Sequence, residues 1–221
     1  PDKGTFGLFL GGGMEFGSFV NNGFTTEDAY FLPLVNVKYF FSDRVEGRIG
    51  LDVYRYGLGA NGKQFKSGNS GDTQDYTNKS SRGNGWLWPG IAYHFTKHNI
   101  LDVYAGAELP IGISSVTAKN VVGNNSIKAT TTTFNVGLGA FVGLQAFIGN
   151  LPLALGVEYG IYGTYAAGGK TKNVRNGDDG KKVYYTYNGS ETLAAGNYDK
   201  LHVGETTLGN QLRITVSYYF K

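Results

Sequence analysis

The last ten residues, Leu212-Arg213-Ile214-Thr215-Val216-Ser217-Tyr218-Tyr219-Phe220-Lys221, alternate strictly between two kinds of side chain. Even positions are large and apolar up to Phe220, while odd positions hold Arg213, Thr215, Ser217 and Tyr219. Successive side chains of a strand point to opposite faces, so this is a strand with one greasy face. An aromatic-ended, alternating final strand is also what closes a β-barrel in an outer membrane, where one face meets lipid and the other meets the lumen.

The same period of two runs back through the chain and gives eight strand candidates. The first sets Phe6, Leu8, Leu10, Met14 and Phe16 against Thr5, Gly7, Phe9 and Glu15; the second, near 30 to 41, sets Phe31, Val35, Val37, Tyr39 and Phe41 against Asn36 and Lys38. The third, from Val45, turns Ile49, Leu51 and Val53 one way and Glu46, Arg48, Asp52 and Tyr54 the other. The fourth, about 86 to 95, carries Leu87, Ile91, Tyr93 and Phe95 on one face; the fifth carries Leu101 to Ile111 at odd positions, with Asp102, Tyr104, Gly106 and Glu108 opposite. The sixth runs from Phe134 to Ile148, the seventh from Leu153 to Ile161 with Glu158 on its second face, and the eighth begins near Thr206. Each is about 10 to 15 residues long, which suits a tilted bilayer crossing. The charge-free stretch from Leu138 to Val157 is long enough for a membrane helix, but Gln145, Asn150, Pro152 and its glycines interrupt it, and the period of two accounts for it better.

The connections sort by length. Ser42-Asp43-Arg44, Thr96-Lys97-His98-Asn99 and Gly149-Asn150-Leu151-Pro152 read as tight turns; the regions near 17 to 29, 58 to 84, 114 to 130 and 166 to 203 read as long polar loops. Short turns on one side, long loops on the other and an even strand number describe an all-β, eight-stranded, antiparallel up-and-down transmembrane barrel. It forms one domain over residues 1–221, with short periplasmic turns, long extracellular loops and both termini periplasmic. Thirty-five glycines and 14% aromatic residues disfavour a helical protein. The net charge of +3, with no basic stripe, excludes nucleic acid as the expected partner. Cysteine is absent, so no disulfide is available, and the opening Pro1-Asp2-Lys3 looks like a mature or trimmed start.

Eight strands leave an interior just wide enough for side chains to fill. The residues facing it by parity are Glu15, Lys38, Glu46, Arg48, Asp52, Asp102, Glu108, Glu158 and Arg213, among glycines and tyrosines. A buried charge without a partner is prohibitively unfavourable, so these residues are expected to form an ion-pair and tyrosine network, with Arg213 facing Glu15 or Glu158. Outward aromatics near the short turns, Tyr39, Phe41, Tyr93, Phe95, Tyr218 and Phe220, are expected at the lipid headgroups, with Phe16, Phe31 and Tyr159 at the opposite level.

With these residues in view, the chain resembles the small eight-stranded outer-membrane barrels of the OmpA-transmembrane-domain, OmpX and OmpW kind, including versions in Bacteroidota-type bacteria. The stretch Ile214 to Phe220 looks like the signal read by the barrel assembly machinery, and Pro89-Gly90-Ile91-Ala92-Tyr93-His94-Phe95 followed by Leu101 to Gly106 resembles their strand-turn-strand units. Lys221 departs from the many proteobacterial barrels that stop at the aromatic. The resemblance implies an outer-membrane location in a Gram-negative bacterium, surrounded by outer-membrane lipid and lipopolysaccharide.

Catalysis finds little support in the sequence. His94 lies on the inward face and reads as a lumen hydrogen-bonding group, and His98 falls in a turn. His202 ends the longest loop beside Asp199 and Lys200, without the oriented nucleophile and base that a hydrolase needs. Neither a metal nor a cofactor is expected: Asp178-Asp179-Gly180 lacks the further ligands of a calcium loop and reads as a turn, and Gly11-Gly12-Gly13 has no phosphate-loop lysine or helix after it. The sequons at Asn124 and Asn188 read as chance. In the last long loop, Lys181, Lys182, Tyr184, Tyr185 and Tyr187 form a hairpin-like stretch suited to an acidic glycan, lipopolysaccharide or a protein. The leading functional reading is a non-enzymatic, plugged barrel with an envelope-structural, adhesion or complex-subunit role. Its rivals are an OmpW-like conduit for small hydrophobic molecules, with Leu32, Leu34, Trp86, Trp88 and Pro110 lining an upper pocket, a lipid-modifying enzyme built on His202, and, at the level of fold, a soluble lipocalin-like barrel.

Overall fold

The computed structural model describes residues 1–14, 30–31, 35–66, 71–96, 100–187 and 196–221. Among them lie eleven strand segments: β1 (Phe6–Met14), β2 (Tyr30–Phe31), β3 (Val35–Phe40), β4 (Val45–Phe65), β5 (Thr73–His94), β6 (Leu101–Glu108), β7 (Ile111–Val122), β8 (Asn125–Phe147), β9 (Leu153–Gly177), β10 (Gly180–Thr186) and β11 (Gly204–Phe220). Every pairing is antiparallel. The pairs close into a ring: β1 joins β11 on one side and β2 and β3 on the other, β3 leads to β4 and β5, β6 and β7 both bridge β5 to β8, and β9 returns to β11. The seam is continuous, running from Phe6 opposite Phe220 to Met14 opposite Leu212. The chain is therefore an antiparallel up-and-down barrel in which ring closure satisfies the edge hydrogen bonds that an open sheet would leave bare.

The two faces are chemically reversed relative to a water-soluble barrel. Along the lower barrel the outward positions are apolar and exposed, as in Phe6, Leu8 and Leu10 of β1, Ile49, Leu51 and Val53 of β4, Leu138, Val142 and Leu144 of β8, and Ile214, Val216 and Tyr218 of β11; Leu10 and Leu138 show about two-thirds of their surface. The alternate positions are buried and include Lys38, Glu46, Arg48, Asp102, Glu158 and Arg213. Near the short turns the outer aromatics touch: Phe6 lies 4.7 Å from Tyr39 and 6.0 Å from Phe220, and Tyr93 lies 5.4 Å from Phe95. These are the girdle residues expected from the sequence; Phe16 lies outside the described residues.

The stretch 138 to 157 is not a helix but two strands and a turn, with Gly149 at φ 55°. The larger difference lies at the far end. The stretches 58–65, 73–84, 114–122, 125–130 and 166–177, read from sequence as loop, are strand. Thr and Ser zip them together, with Thr117 and Thr130 hydroxyls 3.3 Å apart and Thr131 and Thr171 2.7 Å apart. At 25 residues and about 3.3 Å per residue, β9 runs on the order of 80 Å, roughly twice what a bilayer crossing needs. A bulge opposite Thr131 to Thr133, with Gly168 at φ 105° and Gly169 at φ 73°, lets β9 leave β11 and pair with β10. A Cβ at Gly168 would strike the Thr132 carbonyl, so glycine is required there on both counts. Lys181, Lys182, Tyr184 and Tyr185 belong to β10, the second strand of a hairpin that turns at Asp178-Asp179 after β9; the continuation of the expected hairpin-like stretch beyond Tyr187 lies outside the described residues.

Candidate functional site: the charged lumen

The interior is organised around Arg48, which alternation on β4 aims inward between Glu46 and Gly50. Its guanidinium lies 3.0 Å from Glu46, 3.3 Å from Glu108 and 2.8 Å from Glu158, so one cation joins carboxylates from β4, β6 and β9. Its face rests 4.3 Å from the Phe141 ring centroid. Arg213 of β11 holds the other side of Glu108 at 2.8 Å and reaches Glu158 at 3.6 Å. Lys38 of β3 completes the cluster at 3.5 Å from Glu46, above the Phe9 ring.

A hydrogen-bonded chain carries this cluster to the short-turn end. The Tyr219 hydroxyl donates to Gln145 (2.8 Å), and the Gln145 amide donates to Asp102 (2.8 Å). Asp102 meets His94 Nδ1 at 2.5 Å, and His94 Nε2 faces Glu46 at 3.3 Å. Both ring nitrogens face carboxylate oxygens, an arrangement in which only the imidazolium donates twice. Among the described residues the buried lumen then balances four carboxylates (Glu46, Asp102, Glu108, Glu158) against Lys38, Arg48, Arg213 and His94. Tyr104 donates to Glu158 Oε1 (2.9 Å) and Tyr162 to Glu108 Oε2 (3.2 Å), while Glu158 Oε2, 3.6 Å from Arg213, accepts no hydrogen bond among the described residues.

Glycine makes the rings fit. Tyr104 lies against Gly143, and Tyr162 against Gly139 and Gly160, so closely that a Cβ at any of the three would overlap the ring. Small and large residues thus alternate across neighbouring strands, the packing an eight-membered barrel needs to fill its bore. Below the plug, a cavity of about 350 Å³ opens between the short turns, lined in part by Phe40, His94, Asp102 and Phe147. Pairing of Lys221 with Asp2 at 3.2 Å ties the two termini together at this end.

Of the residues singled out from sequence, Lys38, Glu46, Arg48, Asp102, Glu108, Glu158 and Arg213 meet in this one network. Asp52 lies on the same inner face, opposite Trp86, half-buried and without a salt bridge among the described residues. Glu15 lies outside the described residues. Arg213 is expected from the sequence to face Glu15 or Glu158 across the lumen; Glu158 is instead its register neighbour on the adjacent strand, 3.6 Å away, and the contact across the bore is to Glu108 at 2.8 Å. Gln145, Tyr162 and Tyr219 also belong to the network, and inward parity is the signal in the sequence that marks them. Lys181 and Lys182 are exposed on β10, Lys182 lying 3.9 Å from Asp179, and Tyr184, Tyr185 and Tyr187 are half-buried. His202 is exposed, with neither a hydroxyl nor a carboxylate hydrogen-bonded to it among the described residues, and His98 lies outside them.

Fold and lumen together define an antiparallel barrel with an apolar exterior and an ion-paired interior. In overall shape the chain is similar to the outer membrane protein OprG from Pseudomonas aeruginosa, at 11% identity and a TM-score of 0.38, with 99% of this chain and 97% of that one covered. It is also similar to a major outer membrane protein from Thermus thermophilus, at 12% identity and a TM-score of 0.34, with coverage of 97% and 99%. No protein-family model matches the chain, and no curated protein matches it. The fold assignment rests on the closed strand register, not on these distant likenesses.

Proposed function

We propose that the protein is a non-enzymatic barrel of a Gram-negative outer membrane whose bore is closed by its own side chains. Taking β2 with β3 and β6 with β7 as interrupted members, and β10 as lying outside the ring, the barrel has eight staves. The reversal of faces carries the reading: large apolar residues stand exposed around the ring while four carboxylates and their cations are buried inside it. In water, that exterior would be an aggregating surface far beyond the few hundred Å² that soluble proteins tolerate. In a bilayer it is the lipid-facing band, and closure pairs every backbone group as hydrocarbon requires. The short turns and both termini then face the periplasm, with the tall strands rising outside the cell.

The ion pairs that Arg48 and Arg213 make with Glu108 and Glu158 across the bore support a closed lumen, so the role lies in the envelope and in what the extracellular strands hold, through structure, adhesion or membership of a complex. Planar-bilayer recording on the purified barrel tests this directly. The expected result is no steady conductance, and large stable ion currents would overturn it.

One observation favours a second reading, a conduit or binder for small molecules above the plug. Trp88 Nε1 and Asn84 Oδ1 are buried and have no hydrogen-bond partner among the described residues, and both sit on the inner face of β5 around Trp86. Leu32 and Leu34, expected to line the same pocket, lie outside the described residues. A ligand bearing one acceptor and one donor beside an apolar ring would satisfy both orphaned groups. Ligand-dependent quenching of the fluorescence from Trp86 and Trp88, the chain's two tryptophans, would support this reading over a purely structural role.

A further inference from the structure

The outer surface of the tall wall changes character as it rises. On β5, β7 and β8 the lipid-type residues end at Leu87, Ile113 and Phe134; a band of Ser and Thr follows, and then Lys79, Lys119 and Lys128. The register sets Lys79 directly opposite Lys119, and Lys119 directly opposite Lys128. All three are exposed, and none has a carboxylate within salt-bridge distance among the described residues. Like charges directly opposed across a sheet are mutually destabilising. Nor do they guard an open edge, the usual task of strand lysines, because β5, β7 and β8 each have a strand on both sides. The nearby acid on this face, Asp75, lies four positions beyond Lys79 and is register-paired with Lys63 instead.

Nearer the apolar band, about 13 Å back along β5 at roughly 3.3 Å per residue, Gly83 takes the outward position, with Gly85 next below it. They form the floor of a groove of about 370 Å³ walled by Val53 and Arg55 of β4 and Ile113 and Ser115 of β7. A Cβ at Gly85 would meet nothing, so the missing side chain is not demanded by internal packing. Arg55 is exposed and has no carboxylate partner among the described residues. Hydrocarbon-type walls, a bare floor, one guanidinium at the rim and a lysine row beyond it succeed one another along one line up the wall.

We propose that this column binds phosphorylated lipopolysaccharide. An acyl chain lies over Gly83 and Gly85 between Val53 and Ile113, a headgroup phosphate meets Arg55, and the phosphates or acidic sugars of the core meet Lys79, Lys119 and Lys128. The three lysines are then brought together by the anion they share, and Arg55 gains the bidentate phosphate partner for which a guanidinium is shaped. The inference rests on the reading that the apolar band lies in a membrane.

The test uses the purified full chain in detergent, with bound lipid read by native mass spectrometry at low and high salt. The probes are rough lipopolysaccharide with a phosphorylated core, lipid A without the core, and phosphatidylethanolamine. The wild-type chain should retain rough lipopolysaccharide over phosphatidylethanolamine and lose it as salt rises. The K79Q/K119Q/K128Q variant should bind rough lipopolysaccharide about tenfold more weakly at low salt while holding lipid A as before. Arg55→Gln and Gly85→Leu should weaken both. Unchanged lipopolysaccharide binding by the triple variant, equal loss of both lipids in it, or equal retention of phosphatidylethanolamine by the wild-type chain would overturn the assignment. Heat-dependent gel migration of each sample is a separate readout: its loss speaks against the membrane barrel, whereas a heat-modifiable barrel without selective lipid binding removes only the lipid site.

Discussion

The lower barrel and the tall wall above it are built from the same strands by different means. Below, β4 turns Ile49, Leu51 and Val53 outward and Glu46 and Arg48 inward, so each position is committed to the apolar exterior or to the lumen. Above, the same strand continues through Arg55, Gly57, Gly59, Asn61 and Lys63, and both faces are exposed. The lower part is held by desolvated charge and ring packing in a closed circle, the upper part by backbone ladders and Ser/Thr pairs in an open, curved sheet. Substitutions should therefore be severe below and mild above.

Arg48→Met should have the largest effect. It strands Glu46, Glu108 and Glu158, and losing one partner of a buried network is worth roughly 3–5 kcal/mol, read as a fall in the denaturant midpoint of the folded barrel in lipid. Restoring much of that loss by adding Glu158→Gln would show that the uncompensated carboxylate, not lost packing, was responsible. Leu138→Arg should follow, at about 2–4 kcal/mol for a cation at the middle of the lipid face, whereas Thr130→Arg on the same face of the same strand should be close to neutral. Gly139→Ala drives a Cβ into the Tyr162 ring, and overpacking of this kind is worth typically ~1–3 kcal/mol in the same unfolding assay. Lys119→Gln, high on the wall, should stay within about 0.5 kcal/mol, and a loss above about 2 kcal/mol there would erase the distinction between the two regions.

The division also explains what could be read from the sequence. Where one face is exposed and apolar and the other a packed bore, the period of two is sharp, and Lys38, Glu46, Arg48, Asp102, Glu108, Glu158 and Arg213 could be assigned to the inside from parity alone. Parity gives the face but not the height or the azimuth, so the contact of Arg213 with Glu108 across the bore was not legible. In Asn125-Ser126-Ile127-Lys128-Ala129-Thr130-Thr131-Thr132-Thr133 both faces are wet, no alternation is imposed, and the polar run reads as loop although it is strand. The β-branched threonines were the remaining hint, since they favour a pleated, half-covered surface. The lysine row was invisible for another reason: three residues 40 and 9 positions apart become neighbours only through the register of β5, β7 and β8.

The absence of cysteine permits a direct test of where lipid ends and water begins. Single cysteines placed along the outer face of β8, at Leu144, Leu138, Phe134, Thr130 and Lys128, would be challenged in sealed proteoliposomes with a membrane-impermeant maleimide and again after the lipid is dissolved. Positions 144, 138 and 134 should resist labelling until the bilayer is removed, while positions 130 and 128 should label at once in outward-oriented molecules. Immediate labelling at 138 to the same extent as at 128 would contradict the account.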